Sequence, residues 1–311
     1  MAGRRRAIQG LGAWLGMAAG GMLAGRCAPV LAATPATSAT PALRLACTDW
    51  AAAESLAWLG HPPIAVPELA VYRRWLSDPP LPDATVDLGS RTEPNFEVLA
   101  RLAPDRIFAS SWQATSLPFF ERIAPTQLVR IFNANSQPYP NIRELLMHLA
   151  EVCDARDVAR ERLRGFDADI EALRAGLGRR VGSSVYVVVL HESGTQAYVY
   201  GTGSWVQSII EALGLRNAWD RHTNFYGNIL TGIANLAEQP DACILYMDQG
   251  PRTQRAEAVL KGSTLWNRLP AVRAGRVTAI DSFFALGGLP SALRCARLVA
   301  GAVARLPEAV S

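Results

Sequence analysis

The sequence has 311 residues, half of them hydrophobic, with 31 lysines and arginines against 27 aspartates and glutamates. A chain of this length and composition can bury the core of one large or two modest domains, which indicates a globular protein. Four of the cationic side chains lie before residue 33, and without them the net charge falls from +4 to zero. A neutral chain gives no electrostatic reason to expect nucleic acid or an anionic membrane surface as a partner.

Residues 1–33 have the pattern of a cleavable secretory signal peptide, which predicts a periplasmic protein. Three consecutive arginines begin the segment, a Gly/Ala-rich apolar run follows over 11–25, and small residues suited to cleavage stand at Ala32 and Ala33. The run is too short for a membrane span. The arginine pair favours the twin-arginine route over the general export route. Residues 34–42 are small and polar, and we expect a disordered linker there.

Two phrases occur twice in the chain in the same order. ESLAWLGHPP at 54–63 is echoed by QSIIEALGLRN at 207–217, and FEVLARLAPDRIFA at 96–109 is echoed by IANLAEQPDACILY at 233–246. The first phrase has the pattern of a helix that ends at a glycine, and the second that of a short helix followed by a buried strand. This duplication predicts two similar α/β lobes.

A long amphipathic segment separates the two copies. Between Asp157 and Leu177 apolar residues recur at helical spacing, with charged residues elsewhere. We therefore predict an N-terminal lobe over 43–152, an inter-lobe helix over 153–178 and a C-terminal lobe over 179–311. The expected fold class is α/β, with a ligand cleft between two lobes that one long helix joins rigidly. The apolar run VYVVVL is expected to be a buried strand of the second lobe, and LPSALRCARLVAGAVARL the terminal helix.

The segment Val71–Asn95 sets a tryptophan and an arginine around a proline-rich loop. Its three prolines fix φ and remove backbone donors, so the loop is predicted to be rigid and exposed. Thr92 is expected to cap a helix that begins near Pro94. Such a loop could hold Trp75 and Arg91 against a ligand, although a surface tryptophan and an ordinary salt bridge explain the pattern equally well.

Several familiar kinds of site are missing from the sequence. The turn Gly201–Trp205 lacks a P-loop lysine, and Ser204 is expected to cap the helix that follows. His191, Glu192 and Ser193 are neighbours in sequence at the end of a predicted strand. Consecutive residues there point to alternate sides, which argues against a catalytic triad. Widely spaced cysteines indicate buried free thiols. No paired metal-ligand spacing exists among the four histidines, which are His61, His148, His191 and His222.

Aromatic and amide side chains follow several predicted strands. Ligands of open α/β sheets bind beyond the carboxyl ends of the strands, so these loops are expected to line a cleft with few charged groups. Arg91 is the one basic residue placed in that cleft. The segments are SSWQ with Trp112 and Gln113, TNFYGN with Asn224, Tyr226 and Asn228, and SFFALGG with Phe284 and Leu286.

Five motifs spread over the chain resemble the periplasmic ferric-hydroxamate (ferrichrome-type) siderophore-binding proteins: RRWLSDPPLPD, DLGSRTEPN, ERIAP, NAWDRHTNFYG and LWNRLPAVRAGRV. That family belongs to the class III periplasmic binding proteins, whose two α/β lobes are joined by one long helix. The resemblance implies a non-catalytic monomer without a cofactor of its own. Its cargo would be a ferric siderophore, delivered to an inner-membrane ABC permease.

The resemblance also implies roles for individual residues. Trp75 would form an aromatic wall, and Arg91 would donate to the hydroxamate oxygens around the iron. Three hydroxamates neutralise Fe³⁺, so one arginine with aromatic packing complements the chelate. Contacts from the second lobe would come from Asn224, Tyr226 and Asn228, with Tyr226 where a tryptophan is usual.

The sequence departs from the family pattern at several of these positions. Gln113 stands where the family has a tyrosine, with Trp112 beside it. Phe284 keeps an aromatic position, whereas Ala285 and Leu286 replace an aromatic residue and a tyrosine. The pocket is therefore expected to be less phenolic than in its relatives, which indicates either an altered ligand preference or a loss of high affinity.

Two further aspects of function rest on weaker patterns. Family members dock on the permease through an acidic residue on each lobe, and the nearest carboxylates here are Glu121 and Glu238. The same fold could instead carry haem, cobalamin or a catecholate siderophore, although a single cleft arginine argues against an anionic catecholate. An alternative of another class is a periplasmic siderophore hydrolase that acts through His191 or Ser193.

Overall fold

The computed structural model describes residues 43–133 and 137–308. The predicted signal peptide and linker, residues 1–33 and 34–42, lie outside the described residues. Within the two described ranges, no helix is long and apolar enough to cross a membrane. The same part of the chain contains no group of His, Cys, Asp and Glu side chains that could hold a metal ion.

A five-stranded parallel sheet and its flanking helices form what we call the first lobe. Its strands are β1 (Leu45–Cys47), β2 (Ala65–Val66), β3 (Val86–Asp87), β4 (Arg106–Ser110) and β5 (Thr126–Val129). Its helices are α1 (Trp50–Trp58), α2 (Leu69–Trp75), α3 (Phe96–Leu102) and α4 (Leu117–Glu121). The strand order is β3-β2-β1-β4-β5. Parallel neighbours need crossover connections, and the helices between the strands supply them.

Two consecutive helices connect the sheets, α5 (Pro138–Val152) and α6 (Arg156–Leu177). The predicted long helix is confirmed as α6, which has 22 residues. At 1.5 Å per residue it spans about 33 Å, enough to cross a small domain.

A six-stranded mixed sheet with its helices forms the second lobe. Its strands are β6 (Ser184–Leu190), β7 (Gln196–Tyr200), β8 (Arg216–Asn217), β9 (Asn228–Gly232), β10 (Cys243–Asp248) and β11 (Val277–Asp281). Its helices are α7 (Trp205–Ala212), α8 (Pro251–Lys261), α9 (Thr264–Arg268), α10 (Pro270–Arg273) and α11 (Leu289–Arg305). The strand order is β11-β10-β6-β7-β9, with β8 paired to β6. β7 and β9 run antiparallel to their neighbours.

The repeated phrases form equivalent elements in the two lobes. α1 and α7 are each followed closely by a glycine with positive φ, Gly60 at 86° and Gly214 at 73°. Glycine adopts this conformation without a steric penalty. The second phrase forms α3 with β4 in the first lobe, and a 3₁₀ turn (Ile233–Ala237) with β10 in the second. The predicted duplication is thus confirmed as two α/β units.

One continuous apolar core joins the lobes. Helices of both lobes and the two connecting helices contribute fully buried side chains to it, among them Leu56, Leu146, Phe166, Ile209 and Val299. A shared core of close-packed side chains resists relative movement, because separating the lobes would expose apolar surface to water. The predicted fold class, two α/β lobes joined rigidly by a long helix, is confirmed. Each of the four described cysteines is free and buried, as expected.

The start of α3 differs from the prediction. Asn95 caps this helix, because its side-chain oxygen accepts from the backbone N–H of Val98 at 2.9 Å. Thr92 instead exchanges a hydrogen bond with Ser90 in the preceding turn, at 2.7 Å between the two hydroxyls. The expected cap at Thr92 is therefore wrong by three residues. Asn and Thr are both good N-caps, so composition alone does not choose between them.

Candidate functional site

Two adjoining cavities lie between the lobes. The smaller, here called the first-lobe pocket, has a volume of about 80 Å³. The larger, the second-lobe pocket, has a volume of about 270 Å³. Tyr226, Phe284 and Leu286 line both, so the two pockets form one cleft. Every residue predicted to contact a ligand lines this cleft except Gln113: Trp75, Arg91, Trp112, Asn224, Tyr226, Asn228, Phe284 and Leu286.

Arg91 is held in place from two sides. Its Nε donates to Glu68 Oε2 at 2.9 Å, and its backbone N–H donates to Glu68 Oε1 at 3.2 Å. The guanidinium carbon lies 3.9 Å from the centre of the Trp50 ring, a cation–π geometry. Among the described residues, none accepts a hydrogen bond from its terminal nitrogens. The guanidinium is therefore oriented before any ligand arrives, with donors left for an oxygen ligand.

Gln113 supports Arg91 rather than the cleft surface. Its side chain is buried, and its Oε1 accepts from the backbone N–H of Ser110 at 3.0 Å and the hydroxyl of Thr48 at 2.5 Å. Its Nε2 donates to the carbonyl oxygen of Arg91 at 2.9 Å. In the structure Gln113 does not line the cleft, because its side chain turns back to cap the 3₁₀ turn after β4. The neighbouring Trp112 is 47% exposed and lines the first-lobe pocket instead.

Aromatic rings form the floor and one wall of the cleft. Trp50 meets Trp75 at 6.4 Å and Phe284 at 5.2 Å between ring centres, both edge to face. Phe132 of the first lobe meets Tyr226 of the second at 5.6 Å, also edge to face. These separations are those of favourable aromatic pairs. Rings from both lobes therefore fix the width of the cleft while leaving apolar faces towards it.

The loop before β9 is organised by its own amides. Asn224 Oδ1 accepts from the backbone N–H groups of Tyr226 at 2.9 Å and Asn228 at 3.2 Å. Asn224 Nδ2 donates to Asn228 Oδ1 at 3.1 Å. Gly227 has a φ of 69°, and a Cβ there would come within 2.2 Å of the Ser204 backbone nitrogen. Asn224 thus shapes the loop and presents Tyr226 to the cleft.

The second-lobe pocket holds polar residues that were not predicted. Tyr198 and Tyr200 alternate on β7 and share a face, while Gln249 and Arg252 stand at the start of α8. The expectation that Arg91 is the one basic residue of the cleft is therefore wrong, and the two tyrosines add phenols that were not predicted there. Arg252 follows the buried strand β10, so the strand-end rule could have found it. No sequence signal tells which face of β7 points into the cleft.

Two first-lobe residues were also missed. Trp50 begins α1, three positions after β1, so it occupies the same kind of strand-end position as Trp112. Glu68 precedes α2 and is 23 residues away from its partner Arg91 in the chain. A pair so distant in sequence, joined by two loops, leaves no local pattern.

A partly buried carboxyl, that of Asp49, lines the first-lobe pocket. Asp49 caps α1 through the backbone N–H of Ala52 at 3.0 Å and accepts from the hydroxyl of Ser110 at 2.7 Å. Burial raises the pKa of this carboxyl, and those hydrogen bonds and the charge of Arg91 oppose the shift. The pairing of Glu68 with Arg91 offsets the charge of that arginine in the first-lobe pocket.

A fully buried carboxyl, that of Glu54, joins the two halves of the cleft. Glu54 on α1 accepts from the backbone N–H of Gly288 and, at 2.8 Å, from the hydroxyl of Ser291, both at the start of α11. Burial raises the pKa of Glu54 to about 8. A Cβ at Gly287 would lie 2.4 Å from Glu54 Oε1, so glycine is required for this close approach. The contact fixes the loop that carries Phe284 and Leu286 against α1.

The two candidate docking carboxylates lie outside the cleft lining. Glu121 is exposed at the end of α4, and Glu238 follows the 3₁₀ turn before β10. Glu238 forms an ion pair with Arg221. Among the described residues, Glu121 has no ion-pair partner. The second carboxylate is thus partly neutralised before any partner binds.

The trio after β6 does not form a catalytic relay. His191 Nδ1 lies 2.9 Å from Ser193 Oγ, whereas Glu192 between them points elsewhere, as the expected alternation of sides requires. His191 and Ser193 meet because the chain turns here between β6 and β7. Glu192 pairs with Arg255 at 2.8 Å instead of orienting the imidazole, and Ser193 also contacts Thr195. None of the three lines the cleft pockets.

A third cavity, about 480 Å³ in volume, lies between α6 and α11. Its charged side chains largely satisfy one another: Arg297 pairs with Asp169 at 2.7 Å, and Arg294 donates to the Ser282 carbonyl at 2.8 Å. It contains no predicted ligand-binding residue. Size alone does not make it the functional site, since the cleft combines unpaired donors with aromatic walls.

Known proteins share this fold and much of the sequence. The chain is 30% identical over 260 residues to the iron(3+)-hydroxamate-binding protein FhuD of Escherichia coli, covering 84% of this chain and 86% of that protein. Desferal-bound FhuD of Vibrio cholerae superposes with a TM-score of 0.80 at 26% identity, covering 86% of this chain and all of that one. The petrobactin-binding protein YclQ of Bacillus subtilis gives 0.67 at 19% identity, over 84% of this chain and 91% of that one, and shows the fold alone.

The comparison with protein-family models agrees with these similarities. The family described as periplasmic binding protein matches residues 45–283, which span both sheets and the helices between them. Its members bind solutes and are not enzymes. The two lobes, the long helix and the cleft between them are the features that this match covers, and the chain belongs to the periplasmic binding protein family.

Proposed function

We propose that this protein is the solute-binding component of an ABC importer, which binds ferric hydroxamate siderophores in the periplasm and delivers them to an inner-membrane permease. The observation that carries the proposal is Arg91, fixed by Glu68 and Trp50 with its terminal nitrogens left for a ligand. Three hydroxamates around Fe³⁺ form a neutral core with negatively polarised oxygens. One fixed guanidinium surrounded by aromatic rings complements such a core.

The relatives support the same cargo. The E. coli protein is named for iron(3+)-hydroxamate binding, and the V. cholerae protein was crystallised with ferric Desferal, a hydroxamate chelate. The remaining assignments are part of the proposal: residues 1–33 as signal peptide, lobes over 43–152 and 179–311, and docking through Glu121 and Glu238. The rigid core suits a monomer that presents both lobes to a permease at a nearly fixed distance.

The proposal is tested by titrating the purified protein with a neutral ferric trihydroxamate and following tryptophan fluorescence. Trp50, Trp75 and Trp112 lie at the cleft, so we expect quenching that saturates at one chelate per protein. Arg91→Gln should weaken binding by about 1.5 to 3 kcal/mol, the usual loss for a charged hydrogen bond. Arg101→Gln, an exposed arginine on α3, is the matched control and should bind as the wild type does.

Three outcomes would contradict the proposal. No saturable quenching by ferric trihydroxamates would remove the hydroxamate cargo. Preferential binding of haem, cobalamin or a ferric catecholate in competition would assign the cleft to another chelate. Equal affinities of Arg91→Gln and the wild type would remove Arg91 from the site.

A further inference from the structure

The second-lobe pocket contains a cation that no carboxylate neutralises. Among the described residues, Arg252 has no ion-pair partner, and its one side-chain hydrogen bond runs from Nη1 to Gln249 Oε1 at 3.4 Å. Its guanidinium carbon lies 5.8 Å from the centre of the Tyr198 ring. Arg91, in contrast, is paired with Glu68. The positive charge available to a ligand therefore lies on the second-lobe side.

The position of Arg252 does not stabilise α8, the helix to which it belongs. Arg252 lies in the first turn of α8, where the helix dipole disfavours a cation. Arg255, one turn later on the same helix, pairs with Glu192 at 2.8 Å. The two arginines thus differ in their partners, and the one without a carboxylate is the one that lines the pocket.

Two phenols accompany this cation. Tyr198 and Tyr200 line the pocket from β7, and neither hydroxyl has a hydrogen-bond partner among the described residues. Burial raises the pKa of Tyr200, with a smaller contribution from Cys295, and the nearby Arg252 opposes that shift. Tyr200 consequently remains a neutral hydrogen-bond donor at physiological pH. A guanidinium and two phenols are all donors, which together suit an anionic oxygen group.

We propose that Arg252, Tyr198 and Tyr200 form a second subsite that binds a carboxylate carried by the siderophore outside its iron-binding groups. This inference rests on the proposed function, since the chelate itself occupies the aromatic cleft. It makes the preferred ligand a ferric hydroxamate with a pendant carboxylate, and it assigns ligand preference to the second lobe. The neutral chelate core stays with Arg91.

Three chelates with the same iron-binding core test the subsite. Ferric Desferal has one free amine and is cationic, its N-acetyl derivative is neutral, and its N-succinyl derivative carries a carboxylate. We expect the wild type to bind the succinyl form about tenfold or more tightly than the acetyl form, as for one charge-assisted hydrogen bond. The cationic form should bind most weakly. Free succinate is added as a separate arm and should not displace the acetyl chelate.

Arg252→Gln should abolish this preference, bringing the succinyl and acetyl affinities within about twofold. Tyr200→Phe should reduce the preference by a smaller factor. Arg255→Gln, on the same helix but paired outside the cleft, is the control and should keep the preference. Near-ultraviolet circular dichroism and the melting temperature confirm that each variant is folded.

The outcomes separate this inference from the proposed function. Equal wild-type affinities for the acetyl and succinyl chelates, or a preference that survives in Arg252→Gln, would overturn the subsite while ferric hydroxamate binding stands. Displacement of the acetyl chelate by free succinate would assign the pocket to a separate anion. Failure of all three chelates to bind would contradict the proposed function itself.

Discussion

The two halves of the cleft are built in different ways. In the first-lobe half, Arg91 is held in one orientation by Glu68 and Trp50, and its backbone by Gln113, so that its terminal nitrogens face the cleft from a fixed position. In the second-lobe half, Arg252 has no carboxylate partner and the phenols of β7 have free hydroxyls within the described residues. The first half is preorganised, while the second keeps its donors for the ligand.

This difference separates two tasks. Preorganised groups bind without losing further side-chain entropy, so the first-lobe half suits a feature that all cargoes share, the iron-bound oxygens. Unpaired donors discriminate strongly between ligands, because a ligand without a matching acceptor does not form their hydrogen bonds. We infer that affinity resides mainly in the first lobe and ligand preference mainly in the second.

The largest expected effect on stability comes from removing the ring of Trp50, at the centre of the first-lobe half of the cleft. Trp50 is 2% exposed and donates from its indole N–H to the Pro67 carbonyl at 3.0 Å. Trp50→Ala should destabilise the protein by about 3 to 5 kcal/mol, the usual cost of truncating a buried aromatic residue. Tyr226→Ala, at the more exposed ring of the second half, should cost about 1 kcal/mol or less. Urea unfolding of both variants measures the difference.

Equal destabilisation by the two substitutions would contradict the difference proposed between the two halves of the cleft. It would show that the second-lobe loop is packed as tightly as the first-lobe aromatic cluster. A small effect of Trp50→Ala alone would indicate that Trp75 and Phe284 collapse into the space it leaves.

A smaller effect is expected at Glu54, where the two halves are joined. The pKa of Glu54 is raised by burial to about 8 from its ordinary value of 4.5, so the folded protein keeps a proton that the unfolded chain has released. Stability is therefore lost as the pH rises from about 4.5 to 8, and is constant above that range. Glu54→Gln mimics the protonated group. Between pH 5 and pH 8.5 its free energy of unfolding should therefore rise relative to that of the wild type, by on the order of a few kcal/mol.

Melting temperatures across this pH range measure the gain. Asp49 also has a pKa raised by burial, so some slope should remain in Glu54→Gln. A constant difference between variant and wild type from pH 5 to pH 8.5 would show that Glu54 is charged in the folded protein. The join between the halves would then rest on an ionised carboxylate at the start of α11.

Sequence patterns predicted the frame well, because periodicity reports which side of an element is buried. The amphipathic segment from Asp157 to Leu177 matches α6 to within one residue, although the predicted range 153–178 began three residues early, and the duplicated phrases correctly indicated two α/β units. The strand-end rule correctly brought Trp112 and Phe284 to one cleft, which Tyr226 also lines from the loop before β9. The rule works because the parallel strands of a sheet end at the same edge.

The details of the site depended on contacts between distant residues. Gln113 occupies a strand-end loop, but three hydrogen bonds turn its side chain into the lobe. Glu68 approaches Arg91 only after two loops have folded together. Tyr198 shares one face of β7 with Tyr200, opposite two buried residues of that strand, and this alternation does not tell which neighbouring loops border that face. Such orientations are set by packing, which local patterns do not record.

The most direct test is the crystal structure of the protein with a neutral ferric trihydroxamate. The account requires the chelate to lie between the lobes against Trp75 and Phe284. Its iron-bound oxygens should lie about 2.7 to 3.2 Å from the terminal nitrogens of Arg91. A chelate bound in the cavity between α6 and α11, or in the cleft without a contact to Arg91, would contradict it.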